Sequence, residues 1–196
     1  MDLTLRGLLA MARDTVADPR AGARRIMAID LNLRERWLAL ALMAVISTLL
    51  THLSFALAPA AARAFLDDAM ASPLRTAVIQ SVALFAGTLA VYRLGQARGG
   101  TGSLADAISL MAWLQFILLL AQVAQVLAEV LVPPLAQVIG VAAVALFFWL
   151  LTHFVAELHG FRSLGATFVG VLLGMVALAF ALALLLAPFL PAIPGA

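Results

Sequence analysis

Five long apolar runs, separated by short stretches rich in proline, glycine, arginine or acid, organise this chain. They fall at about 36–58, 74–94, 105–132, 135–158 and 164–187. Each has the roughly 20 residues needed to cross a hydrocarbon core of about 30 Å. The third is long enough to tilt. Inside lipid every backbone polar group must be satisfied within the structure, so a spanning segment is a helix or part of a closed barrel. None of the runs alternates polar and apolar positions as a barrel strand does. The pattern therefore predicts an all-α polytopic membrane protein with five transmembrane helices.

The punctuation agrees with that division. Asn32 with Glu35 has the spacing of a capping box before the first span. Pro59 stops that span. Ser72-Pro73 is a cap followed by proline at the start of the second. Gly95 to Gly102 reads as a flexible, arginine-bearing turn. Ser103 with Asp106 opens the third span, Pro133-Pro134 ends it, Gly160 ends the fourth and Pro188 the fifth. Ahead of the spans, residues 3–17 repeat Leu5, Leu8, Leu9, Ala12 and Val16 at helical spacing. A short basic helix follows Asp18-Pro19. This part either lies on the membrane surface or packs on the rest of the protein. The expected organisation is a cytoplasmic amphipathic segment over 1–35, a five-helix domain over 36–190 and a short tail over 191–196.

Composition narrows the class further. Of the 196 residues, 65% are hydrophobic and 11% charged, and mean hydropathy is +1.10. A soluble domain of this size cannot hide so much apolar surface. Such hydrophobicity excludes intrinsic disorder, and the lack of cysteine excludes a disulfide framework. The pI near 10.4 does not indicate nucleic-acid binding, because the arginines form no clustered basic face. No cleavable signal is apparent, and acids among the first 36 residues argue against a transit peptide.

Arginine placement predicts the orientation. Seven arginines lie at or before Arg36; Arg93 and Arg98 flank the second loop, and Arg162 sits in the fourth. Five spans put these three segments on one side, which the positive-inside rule makes cytoplasmic. The first far-side loop has Arg63 with Asp67 and Asp68, and Arg75 lies near its edge. The C-terminus then falls on the opposite side. Trp37 and Tyr92 lie near the arginine-rich interface, where aromatic belts form. A lysine-free, arginine-rich chain suggests a high-GC bacterium and its cytoplasmic membrane.

Few residues are candidates for chemistry. Gln115, Gln122, Gln125 and Glu129 fall on one stripe of the third span. They read either as an interhelical hydrogen-bond seam or as a solute or proton path with Glu129 as its ionisable group. His153, Glu157, His159 and Arg162 form a polar helix end, in which Glu157 pairs with an arginine, Arg162 being a candidate. His153 and Glu157 have a possible metal-ligand spacing, but a polar helix end is the stronger reading. His52 is expected to hydrogen bond to another helix. Gly170 and Gly174 form a GxxxG that lets a helix approach closely. No nucleophile–base arrangement and no cofactor motif is found.

Asp18-Pro19-Arg20, Ser103-Leu104-Ala105-Asp106, Trp113-Leu114-Gln115-Phe116 and Glu157-Leu158-His159-Gly160-Phe161, together with the five-span plan, make the chain resemble the bacterial branch of the Yip family, the Ypt-interacting membrane proteins. The resemblance implies a non-enzymatic integral membrane protein without catalytic residues. Eukaryotic members bind Rab-type GTPases through an N-terminal region with an Asp-Leu-Tyr-Gly-Pro motif. Here Asp30-Leu31 is followed by Asn32-Leu33, so GTPase binding is not carried over. The expected function is a membrane scaffold or adaptor whose partners are the lipid bilayer, other membrane proteins or copies of itself. The alternative is a small-solute or proton-coupled transporter using the polar stripe.

Overall fold

A computed structural model describes residues 4–58, 60, 63, 64, 70 and 72–186. Pro59, Asp67, Asp68, Pro188 and the tail over 191–196 lie outside the described residues. Among those described, all regular structure is helical. Two short helices, α1 (Leu5–Ala17) and α2 (Pro19–Met27), precede five long ones. These are α3 (Leu33–Leu57), α4 (Pro73–Ala97), α5 (Leu104–Leu131), α6 (Pro133–His159) and α7 (Leu164–Leu186). All five are long and apolar enough to cross a membrane.

Local chemistry sets the helix ends. Thr4 Oγ1 accepts from the Gly7 amide and caps α1. Asp18 accepts from the Ala21 amide ahead of Pro19 and so caps α2. The capping box before α3 is complete: Asn32 Oδ1 accepts from Glu35 N at 3.0 Å, and Glu35 Oε2 from Asn32 N at 2.8 Å. Ser72 caps α4 and Ser103 caps α5. Between α5 and α6 there is only Val132, because Pro133 cannot continue the preceding hydrogen-bond ladder but suits the first turn of the next helix. Gly160 ends α6 at φ +72°, the left-handed conformation that glycine adopts without steric cost.

The hub is the first half of α5. Residues Ala107 to Leu114 are all buried, a full wrap that only a helix enclosed on every side shows. It packs on α3, α6, α4 and α2. The other spans keep apolar stripes outward: Leu38, Leu42, Val45 and Leu49 on α3; Val138, Val141 and Val144 on α6; Val169, Leu173, Val176 and Phe180 on α7. Lipid tails cover such stripes at no cost, whereas water would not. The helix α7 leans only on α6 and α4 among its well-formed contacts.

The N-terminal segment packs on the bundle. Thr15 is fully buried, and its Oγ1 accepts from Trp113 Nε1 of α5 at 3.2 Å. Gly22 lets α2 close over Thr15, since a Cβ there would come within 2.6 Å of Thr15 Cγ2. Only one edge of the α1 apolar stripe is used in this contact: Ala12 is buried while Leu5, Leu9 and Val16 are exposed.

Candidate functional site

Arg36, Ser109 and His159, with Thr15, lie at one end of the bundle, where α1, α2, the α4–α5 loop and the α6–α7 turn meet, while Thr48 and Thr88 are buried in mid-span. Arg36 is the first element of this site. It lies one turn into α3, and its side chain is 10% exposed. Nη1 donates to Ser109 Oγ (2.8 Å), Ala105 O (3.1 Å) and Asp106 Oδ1 (3.2 Å) of α5. Nε donates to Leu31 O at 3.0 Å and Nη2 to Ile29 O at 3.3 Å. A guanidinium offers five donors in a rigid fork, and here every nitrogen is engaged. Asp106 in turn accepts from the Ser103 hydroxyl at 2.6 Å. Arg36 thus ties the α2–α3 connection, α3 and α5 together. Sequence reading counted it among the topology-setting arginines. The available signal was its position, inside the apolar run rather than before it.

Glu157 forms the second element, and one expectation about it needs correction. Its partners are on α2, not the adjacent Arg162: Arg24 Nη1 donates to Oε1 at 2.9 Å, and Arg20 Nε lies 3.8 Å from Oε2. Arg162 is exposed. Arg20 Nη2 also donates to Phe161 O at 3.3 Å. Helical geometry explains the choice, because Glu157 precedes the turn at Gly160 and faces outward from α6 toward the docked α2.

His159 forms the third. It is buried, and its Nδ1 accepts from the Gly102 amide at 3.4 Å while Nε2 lies 3.1 Å from Val91 O. The neutral tautomer with its proton on Nε2 satisfies both contacts, an assignment made from the hydrogen-bond geometry. Gly95 and Gly100 leave the room the ring occupies: a Cβ at either would overlap it. A Cβ at Gly102 would stand 2.6 Å from Leu158 Cγ. The glycine-rich segment, expected to be a flexible turn, is therefore a close-packed cradle for the end of α6. The glycines are there for lack of volume; only Gly99 has a positive φ among those in the loop.

His153 is held within its own helix. Nδ1 contacts Trp149 O at 2.7 Å, and the ring lies tilted against Trp149 at 4.1 Å between centroids. Among the described residues no group of three histidine, aspartate or glutamate side chains could hold a metal ion. His52 Nε2 is buried with no hydrogen-bond partner, contrary to the interhelical bond expected of it.

The polar stripe of α5 disperses toward different neighbours. Gln122 Nε2 donates to Thr51 Oγ1 of α3 at 3.2 Å. Gln125 lies against Gly140 of α6, with its Nε2 at 3.1 Å from where a Cβ would stand. Gln115 lines a cleft beside α4, α6 and α7, and Glu129 is half-buried near the other end of the helix. The cleft has a volume of about 320 Å³. Gly170 and Gly174 face it from α7 and allow α4 to approach, Gly174 standing opposite Leu94 and Gly170 under Arg98. A second cavity of about 240 Å³ lies beneath α1 and α2, bounded by Leu8, Ile26, Arg36 and Trp113.

Five spanning helices and a polar cluster without a reacting dyad define the class: an integral membrane protein with a helical bundle and a docked N-terminal segment. The model of the Yip1 domain matches residues 13–185. The chain belongs to the Yip1 family. A search of curated proteins and a search of solved structures each found no match.

Proposed function

We propose that this chain is a non-enzymatic membrane scaffold of the bacterial cytoplasmic membrane, with its N-terminus in the cytoplasm and its C-terminus on the opposite side. The observation that carries the reading is the use made of the polar side chains at the arginine-rich end. Arg36, Glu157 and His159 spend their hydrogen-bonding capacity on holding α2, α3, α5 and α6 and the glycine loop in one arrangement. Groups so engaged are not free to shuttle protons or bind a solute. What they produce is a rigid face carrying α1 and α2, with Arg13 and Arg25 outward and the exposed apolar edge Leu5, Leu9 and Val16 beside them. A surface of this kind suits anionic lipid, each arginine near it contributing about 1 kcal/mol, or another membrane protein.

Affinity purification from native membranes in mild detergent, followed by mass spectrometry, tests the function. A recurrent stoichiometric protein partner, or a defined homo-oligomer, supports the scaffold. A monomer without partners, together with solute flux in liposomes that Glu129→Gln abolishes, overturns it in favour of transport. Orientation is tested separately. The chain has no cysteine, so Thr101→Cys and Ala60→Cys each introduce a single thiol. The first should react with an impermeant maleimide only after the membrane is breached, and the second in intact cells.

A further inference from the structure

The cleft between α4, α6 and α7 has the shape and charge of a site for one lipid. Along α4 it is lined by Gln80, Gly87, Leu94 and Arg98. Gly87 and Arg98 are three helical turns apart, about 16 Å at 1.5 Å per residue. That is about half the thickness of a hydrocarbon core, the depth one acyl chain reaches from its headgroup. The walls facing α4 are apolar, Leu151 and Val155 from α6 and Leu178 from α7 among them. An occupant of this length of wall must be apolar and elongated, because polar groups along it would lose their hydration without replacement.

The arginine-rich end of the cleft is different. Arg98 is exposed at its rim, its guanidinium lies over the backbone of Gly170, and a Cβ at that glycine would overlap Nη1. Among the described residues no carboxylate pairs with it. Arg20, Arg24, Arg25 and Arg36, which do form ion pairs, lie in α2 or at the start of α3, away from this rim. A cation without a counter-charge stands at the mouth of a long apolar slot, at the C-terminal end of α4.

We infer that the cleft binds one membrane phospholipid with an anionic headgroup, a single acyl chain along α4 and the phosphate on Arg98. Charge complementarity selects the headgroup, and an arginine fork binds phosphate through paired, charge-assisted hydrogen bonds. The second chain remains in the surrounding bilayer. This inference stands apart from the scaffold reading, since a bound lipid is compatible with either a scaffold or a transporter.

Native mass spectrometry of the full chain in mild detergent tests it. The expected result is one phospholipid retained per chain. After delipidation, phosphatidylglycerol should rebind about fivefold more tightly than phosphatidylcholine, the advantage of one arginine near a charged headgroup. Arg98→Gln should remove that preference. Gly87→Leu should lower occupancy by both lipids, because its Cβ has room, with Leu178 Cδ2 nearest at 3.9 Å, and its outer carbons fill the slot. The inference is overturned if the wild-type chain retains no lipid or retains a free fatty acid. It is equally overturned if the headgroup preference survives Arg98→Gln, or if inorganic phosphate alone displaces the bound species.

Discussion

The two ends of the bundle are built on different principles. At the arginine-rich end, Leu150 to Ala156 of α6 are buried without a break, as are Ala107 to Leu114 of α5 beside them. Side chains there are specified by shape and by hydrogen bonding. At the other end, the first seventeen residues of α6 contribute Ala136 as their buried position, and the last third of α5 contributes Val126 and Ala128. There the helices are apolar toward lipid and touch one another lightly. Hydropathy alone places that end in the bilayer; only the first end encodes one particular packing. The comparison teaches that substitutions of equal chemical size should have unequal effects, depending on which end receives them.

Arg36→Met gives the largest expected effect. It takes the Arg36 donor from Asp106, which keeps the Ser103 hydroxyl, and from Ser109, and frees two backbone carbonyls of the α2–α3 connection. Removing one partner of a buried, hydrogen-bonded ion pair costs about 3 kcal/mol or more. A fall of that size in unfolding free energy, measured by denaturant titration in mixed micelles, is the expected outcome. A cycle with Asp106→Asn isolates the pair from the backbone contacts. A change below 1 kcal/mol would show that water replaces the network readily and that the two ends are less different than the packing indicates.

Gly95→Ala comes next. A single methyl would overlap the His159 ring, and overpacking of this kind costs about 1–3 kcal/mol. Gly165→Ala is its control, since a Cβ there meets nothing within 4 Å and alanine favours the helix. The thermal midpoint should fall for the first variant and hold or rise for the second.

These two variants also mark what was legible in the sequence. The five spans were readable because lipid imposes a single strong rule on length and hydropathy, and the caps at Asn32, Asp18 and Ser103 because capping is local. The docking of α1 and α2 was not, since an amphipathic helix has the same periodicity whether its apolar side meets lipid or protein. An arginine partner for Glu157 was legible, but nearness in sequence offers Arg162 as the candidate. The fold supplies Arg20 and Arg24 across more than 130 residues, a separation that no local pattern encodes. The glycines at 100 and 102 fall in the turn expected over Gly95–Gly102, whereas Gly95 lies within the last turn of α4, and a sequence does not distinguish glycine chosen for its φ from glycine chosen for its missing volume. Gln122 and Gln125 share a stripe at 100° per residue and still reach different helices, because α3 and α6 both pack against that side of α5.

Glu157→Gln should have a moderate, salt-dependent effect. Arg24 is largely exposed, with its side chain 57% accessible, so screening limits the pair and about 1 kcal/mol is expected. The clearer readout is local. Limited proteolysis between α2 and α3 should accelerate several-fold in the variant and should accelerate in the wild type as salt is raised. Unchanged cleavage would mean that the Trp113–Thr15 contact and the surrounding apolar packing hold the segment without the ion pair.

The smallest expected effect is at the open end and is the most informative about function. Gln122→Leu removes one interhelical hydrogen bond to Thr51, worth about 0.6 kcal/mol in a membrane setting. Glu129→Gln removes a charge near the end of α5, for which a loss below 0.5 kcal/mol is expected at a position that is only half-buried. A scaffold tolerates both, because its work is done at the packed end. A transporter does not, because its path would need both groups even where stability does not. Stability and flux therefore separate the two readings when measured on the same proteoliposomes. Near-native stability with no flux in either the wild type or the variants leaves the polar groups of α5 as packing elements. Near-native stability with a wild-type flux that disappears in Glu129→Gln would make the loosely packed end the working end, and would reverse the comparison drawn between the two.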